Sequence, residues 1–332
     1  MGHSQRVLVT GAAGMIGANL THRLVADGYQ VSVFLRPRTN RLRLELVERA
    51  LDIHEADMTD ASAVEAAVTA VKPDIVFHLA STIWGKQPAA SSAAHVEVNI
   101  LGTVHLLEAL RTIPGTRLVF TSSSAVYGAG LQLREYQFLS PGTVYGASKA
   151  ATTILLQTYA RLYQLSTVTL HLFMPYGPWE HPNRLIPHTI LSALEGRDVL
   201  MTLGHQQRDL IYIDDVVEAL LLAATKPLAP GAVFNIGSGV GVPVREVVER
   251  LLRLLGDPVK PVFGAMPMRP DEIMEMSADI TAAKMYLEWE PRTSLEDGLR
   301  RTIAWFREHR ELATQLAQRP SESARDAVGA SR

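Results

Sequence analysis

A short β-branched strand, RVLVT at residues 6–10, runs straight into TGAAGMIG at 10–17, and a helical pattern over 15–27 follows. Gly11, Gly14 and Gly17 therefore stand where a strand hands over to a helix N-terminus. Their missing side chains permit a tight turn and close backbone approach, and the first amides of such a helix hold a pyrophosphate. The same beat continues through VSVFL (31–35) and a helical 40–50, DIHEA (52–56) and 60–71, and DIVFHLA (74–80) and about 92–111. RLVFTSS (117–123), a helix at 143–163 and STVTLHLF (166–173) complete it. Strands alternating with helices build βαβ units and a parallel sheet. Residues 5–175 are thus expected to form an α/β, doubly wound parallel sheet of the Rossmann kind, with its ligand crevice at the carboxyl ends of the strands.

Beyond Pro175 the rhythm loosens. Residues 176–312 read as a smaller mixed α/β lobe for the substrate, with helices near 187–196, 214–225, 244–255, 279–286 and 294–308. Short strands are expected near 199–202, 209–213 and 232–237, and the 214–225 helix and 232–237 strand are candidates to pack back on the first domain. The stretch 313–332 is polar and rich in small residues, the composition of a disordered tail.

Composition excludes more than it selects. The 332-residue chain has a formal net charge of −2, which gives no electrostatic case for a nucleic-acid partner. It contains no cysteine, so disulfides, thiolate metal sites and cysteine nucleophiles are excluded. No apolar run is long enough for a membrane span, and no N-terminal signal-like segment is visible; a cytoplasmic protein is the expectation. The 11 histidines form no spaced metal-ligand pair, so no metal is expected. His78 reads as structural, and Asp214 and Asp215 as caps of the helix that begins there.

The chemistry concentrates in VYGASKA. Tyr145 and Lys149 are four residues apart, so on a helix they share a face and an ammonium sits beside a phenol. A nearby cation favours phenolate, drawing a group of intrinsic pKa about 10 toward working pH. Ser123, at the end of RLVFTSS, is the candidate hydroxyl that donates to a substrate carbonyl or alkoxide, with Ser122 and Ser124 as rivals from spacing alone. At the end of the second strand no carboxylate stands ready for a ribose 2′-hydroxyl. Arg36 and Arg38 stand there instead, and guanidinium forks match a 2′-phosphate, so NADP(H) is favoured over NAD(H).

TGAAGMIG, HLAS (78–81), FTSSSAVYG (120–128), YGASK (145–149), YGPW (176–179), RDLIYIDDV (208–216) and FNIGSG (234–239), kept in order over roughly 5–310, resemble the extended short-chain dehydrogenase/reductase family. That family comprises NAD(P)-dependent sugar-nucleotide epimerases, dehydratases and reductases. The resemblance implies Tyr145 as catalytic base, Lys149 as its partner and a holder of the nicotinamide ribose, and Ser123 as the Ser/Thr member. It implies cofactor contacts along Gly11, Gly14, Met15, Ile16 and Gly17, at Asp57 and Met58 beside the adenine, and at Leu79, Ala80, Ser81 and Asn99. Substrate contacts are implied at Trp84, Ser124, Met174, Arg208 and Arg269, and Lys86 shares the loop of Trp84. A homodimer through the helices 92–111 and 143–163 is implied as well.

Two departures narrow the activity. Family dehydratases carry Asp-Glu after the Ser/Thr, whereas this chain has Ser124-Ala125, leaving no acid to protonate a departing hydroxyl. Met174 replaces the usual Asn of the N-V-Y-G-P segment, which alters the sugar pocket. With the NADP-like arginines, the leading expectation is hydride transfer at C4 of a nucleoside-diphosphate sugar by a 4-keto-sugar reductase. The alternative is a 4-epimerase that keeps NAD bound, and the remote one a non-catalytic cofactor-binding scaffold.

Overall fold

The computed structural model describes residues 5–82, 91–269 and 272–318. Seven strands, all parallel, make the central sheet: β1 (Arg6–Thr10), β2 (Gln30–Leu35), β3 (Leu51–Glu55), β4 (Ile75–His78), β5 (Arg117–Ser123), β7 (Ser166–Leu172) and β11 (Ala232–Ile236). Their spatial order is β11-β7-β5-β4-β1-β2-β3. The chain winds outward from β1 to β3, then returns to β4 on the other side of β1. The switch point therefore opens between the carboxyl ends of β1 and β4, where Gly11 follows one strand and Leu79 the other.

Both faces of the sheet are covered, which is why its inner strands read as nearly unbroken apolar runs. On one face α1 (Met15–Ala26) packs beside α7 (Ile213–Thr225) over Val7, Val9, Val33 and Phe77. On the other, α2 (Ala61–Val71) and α4 (Gly102–Leu110) cover Leu8, Val76, Leu118 and Phe120, joined there by Leu156 of α5 (Val144–Tyr163). The expected doubly wound sheet is the one observed. β11 forms its edge by pairing with β7, so residues 213–236 return to the first domain.

The remaining strands form three small sheets. β8 (Met174–Tyr176), β10 (Gln207–Tyr212) and β12 (Gly241–Pro243) make the largest; β9 (Val199–Met201) pairs with β13 (Pro261–Phe263), and β6 (Gly130–Leu133) with β14 (Met276–Ala278). Asp209 of β10 ties the first of these to β14, its buried carboxylate accepting from the amides of Ser238, Gly239 and Ala278 and from the Ser238 hydroxyl. α6 (Leu185–Leu194), α8 (Val244–Leu255) and α9 (Leu295–Glu308) complete this lobe.

Four expectations are corrected. The helix over 40–50 is a series of turns ending in one short 3₁₀ segment, Glu48–Ala50. Asn40 captures the Leu42 amide at 3.0 Å, an Asx turn that competes with helix formation. The 92–111 helix is three pieces, α3 (Ser92–Ala94), a π-helical stretch His95–Leu101 and α4. Asp214 and Asp215 lie in the first turn of α7 but cap nothing: Asp215 accepts from the amides of Arg292 and Thr293, at 3.0 and 3.1 Å, and Asp214 faces Arg301 at 3.7 Å. The expected tail begins as α10 (Arg310–Gln318), which buries Ala313 and Leu316; the rest lies outside the described residues. No helix among the described residues is long and apolar enough to cross a membrane.

Candidate active site

The glycine loop is built for close approach. A Cβ on Gly17 would lie 2.2 Å from the Gly11 carbonyl oxygen, so only glycine lets the first turn of α1 close over the end of β1. α1 has Gly14 as its N-cap and no side chain capping its amides, which leaves the backbone N–H groups near Met15 and Ile16 to an anion. Across the crevice the Leu79 amide bonds the Thr10 carbonyl and the Ala80 amide bonds Thr10 Oγ1. The residues present thus fit a dinucleotide's pyrophosphate. Asp57 closes a tight turn after β3, holding the amide and hydroxyl of Thr59, and Met58 is buried beside it. Arg36 is half-buried; Arg38 is exposed, with a left-handed φ of 66°.

The catalytic candidates come from two elements. β5 delivers Ser122 and Ser123, with Ser124 just beyond, and the structure separates these three rivals. Ser122 and Ser124 are buried, Ser122 taking a hydrogen bond from Thr153 Oγ1. Ser123 is half-exposed, caps the 3₁₀ turn Ser124–Val126 by accepting from the Ala125 amide, and lies close enough to the Tyr145 phenol to draw its pKa down.

α5 delivers Tyr145 and Lys149. Its N-cap is Thr143, whose Oγ1 accepts from the Gly146 amide at 3.0 Å. Gly146 has a role that motif reading missed: a Cβ there would meet the Ala125 carbonyl oxygen at 2.4 Å. The missing side chain is what brings Tyr145 up to the turn carrying Ser123.

Burial raises the Tyr145 pKa, while the Ser123 hydroxyl and then the Arg184 charge work against the rise. Lys149 is buried and donates to the Thr121 carbonyl at 2.9 Å, with its ammonium 4.7 Å from the centre of the Phe120 ring. Burial pulls it down to about 7. The influences opposing the rise thus include Ser123, on the turn after β5, and Arg184, from the segment after β8.

Asn99 connects the crevice to this helix. Its Oδ1 accepts from the Thr82 amide at 2.8 Å and from Ser81 Oγ at 3.1 Å, and its Nδ2 donates to Ser148 Oγ at 2.9 Å. Ser148 in turn donates to the Tyr145 carbonyl. The π-helical turn leaves the Asn99 carbonyl to accept from both Thr103 and Thr152 hydroxyls. Since Thr103 spends its proton there, His78 Nε2 must donate to Thr103 and Nδ1 accept from Thr10. His78 is thus a neutral structural bridge, its pKa pushed down to about 3 by burial and then by Lys149.

The substrate candidates are divided. Trp84 and Lys86 lie outside the described residues. Met174 is partly exposed at the start of β8, in register with Leu210 of β10. Arg208, on β10, donates to the carbonyls of Gln207 and Ile273 and to Glu272; Arg269 donates to the other oxygen of that carboxylate at 3.2 Å. The two arginines are therefore brought together, by a glutamate that no motif singled out. The segment after β8 holds two more unpredicted groups, Glu180 and Arg184. Burial raises Glu180 to about 8, with Arg184 and the Gly177 amide opposing, and its Oε2 is buried without a hydrogen bond.

Such a glycine-cradled crevice, running to a serine and a phenol paired across a strand end and a helix, fits acid/base work beside a nicotinamide. Residues 7–237 match the model of the NAD dependent epimerase/dehydratase family. The chain is 33% identical to the UDP-glucose 4-epimerase of Mycolicibacterium smegmatis over 91% of its own length and 98% of that protein's. It is 30% identical to the UDP-glucuronate 4-epimerase of Thermodesulfobacterium geofontis, covering 93% and 98%. Its structure resembles the Thermus thermophilus UDP-glucose 4-epimerase in complex with NAD, with a TM-score of 0.82 and 31% identity over 91% and 99% of the two chains. With its glycine loop, its Tyr145–Lys149 helix and these likenesses along nearly its whole length, the chain belongs to the NAD dependent epimerase/dehydratase family, within the extended short-chain dehydrogenase/reductases.

Proposed function

We propose that the protein is a 4-epimerase of a UDP-linked hexose or hexuronate. The observation carrying this reading is the pairing of Ser123 with Tyr145 in a site where Ala125 stands two residues after that serine and no acid follows it, which leaves the chemistry of C4 but not dehydration. The names of similar proteins support the epimerase over the 4-keto reductase that the sequence favoured. A bound nicotinamide supplies a hydride acceptor and donor for C4. Tyr145 takes the C4 hydroxyl proton and returns it, and Ser123 donates to the C4 oxygen while it is a carbonyl. Lys149, fixed on the Thr121 carbonyl, holds the ribose side of the site. Arg208 and Arg269 grip the diphosphate, and Glu272 keeps the two guanidinium groups side by side.

Incubation with UDP-glucose and UDP-glucuronate, with product stereochemistry followed at C4, tests the reading. Interconversion without net cofactor consumption is expected. Tyr145→Phe should lower kcat by roughly 10²–10⁴-fold; an unchanged rate would remove the phenol from the mechanism.

Arg36 and Arg38 favour a second reading. With two guanidinium groups and no carboxylate after β2, this end of the crevice suits a 2′-phosphate, and with NADPH a 4-keto sugar would be reduced rather than epimerised. Against it, the similar Thermus enzyme is a complex with NAD. Tighter NADP than NAD binding, with stoichiometric NADPH oxidation on a 4-keto sugar nucleotide, would establish the reductase.

Assembly is part of the proposal. Val96 and Leu101 on the π-helical stretch, and Ile154, Leu162 and Tyr163 on α5, are exposed apolar side chains on elements packed against each other. They suit a homodimer built from these helices.

A further inference from the structure

Arg43 lies in the turn-rich stretch between β2 and β3, and it is half-buried, with its guanidinium beside neutral groups. Its Nε donates to the Trp179 carbonyl at 2.9 Å and its Nη1 to the Ala13 carbonyl at 3.3 Å. Burial alone pulls it down to about 10, and no carboxylate among the described residues pairs with it. The nearby Arg41 is conventional by contrast, bridging Glu48 and Glu55. The titratable neighbour that feels Arg43 is His181, a base whose pKa burial and then Arg43 lower, so it offers no negative charge. A desolvated cation among carbonyls and another base is costly unless an anion completes it.

The position indicates which anion. Ala13 belongs to the glycine loop, one residue before the N-cap of α1; Trp179 belongs to the segment that carries Glu180 and Arg184. Asn19 makes the same bridge one residue away, donating from Nδ2 to the Met15 carbonyl at 2.9 Å and to the Pro178 carbonyl at 3.1 Å. His22 adds a third link, its ring 5.7 Å from that of Trp179 and its Nε2 bonded to the Arg43 carbonyl. Two successive carbonyls of the 178–179 backbone are thus fastened, one through Arg43 to the glycine loop and one through Asn19 to the helix that the loop opens.

We propose that Arg43 is a dinucleotide-binding residue whose charge is completed by the cofactor pyrophosphate, and that it thereby latches the 177–184 segment into place when the cofactor binds. Binding a diphosphate at the glycine loop draws Arg43 toward it and fixes Trp179 through the same guanidinium. Arg184, five residues on, then holds its charge near Tyr145. The inference rests on the dinucleotide reading of the glycine loop and is independent of what happens at C4.

The test uses the full chain, NAD as the probe and calorimetry at low and high salt; this binding measurement needs no turnover and stands or falls apart from the epimerase assignment, on which the KM readouts rest. Arg43→Met, which keeps much of the apolar stem and removes charge and donors, should weaken NAD by about tenfold and flatten the salt dependence of its affinity. It should also raise KM for UDP-glucose at saturating NAD more than it lowers kcat. Arg43→Lys should keep most of the salt dependence and lose the Trp179 link, raising KM alone. NAD affinity and salt dependence unchanged in Arg43→Met, with only the melting temperature lowered, would overturn the proposal and leave a loop staple. If Arg43→Met does not fold, Arg43→Gln decides by the same calorimetry: weaker NAD binding with a flattened salt dependence supports the proposal, and both unchanged from wild type overturn it.

Discussion

Lys149 shows how a buried cation weakens the fold that carries it. Its ammonium is buried against one carbonyl and an aromatic ring, and burial brings it from 10.5 to about 7. Between those values the unfolded chain binds a proton that the folded chain does not, so stability rises with pH across that window. Below about pH 7 both states are protonated, and the folded state bears the whole cost of the buried charge. Lys149→Met should therefore stabilise the cofactor-free protein at neutral pH by on the order of 3 kcal/mol and flatten the rise in stability between neutral and alkaline pH. The same variant should lose turnover. Denaturant titrations across that range check it; a variant that is less stable at pH 7 would show that the Thr121 bond outweighs the burial.

The approach of α5 to the turn after β5 is the element on which the site depends. A Cβ at Gly146 would fall 2.4 Å from a backbone oxygen, which cannot yield as a flexible side chain would. Gly146→Ala should push the helix start away from Ser123, cutting kcat at least about tenfold and costing roughly 1–3 kcal/mol of stability, with NAD affinity nearly unchanged. Melting curves and NAD titration beside the turnover assay would separate this from general unfolding. The example also marks how far the sequence could be read. α5 itself, and the succession and parallel direction of the strands, were legible because apolar periods and glycine spacing are local signals. That Gly146 sets the spacing to Ala125, that Glu272 joins Arg208 to Arg269, and that Asn99 lies in a π-helical turn all depend on which segments meet. Such meetings leave no mark in spacing. The 40–50 stretch failed for a local reason instead, an asparagine turn stronger than its apolar pattern.

At the scale of the whole molecule, the outer surface of the two site-forming helices remains to be accounted for. α5 buries Lys149, Thr152, Thr153 and Leu156 toward the sheet, yet leaves Ile154 55% and Leu162 67% exposed. Val96 and Leu101 are likewise 48% and 45% exposed on the neighbouring π-helical stretch. Exposed apolar residues scattered singly need no explanation, but a group on adjoining elements marks an interaction surface. A two-fold partner would cover it with the same surface, each copy's pair of helices against the other's. Such contact would buttress α5 from behind, so the position of Tyr145 would depend on assembly. The expected result is a dimer by light scattering at micromolar concentration. Ile154→Glu with Leu162→Glu should yield a monomer, because opposed like charges at a self-complementary interface repel twice. That monomer should bind NAD nearly as well as wild type, since the glycine loop lies at the carboxyl end of β1, but turn over more slowly. A wild type that is monomeric at these concentrations would leave the exposed face unexplained and α5 held by the sheet alone.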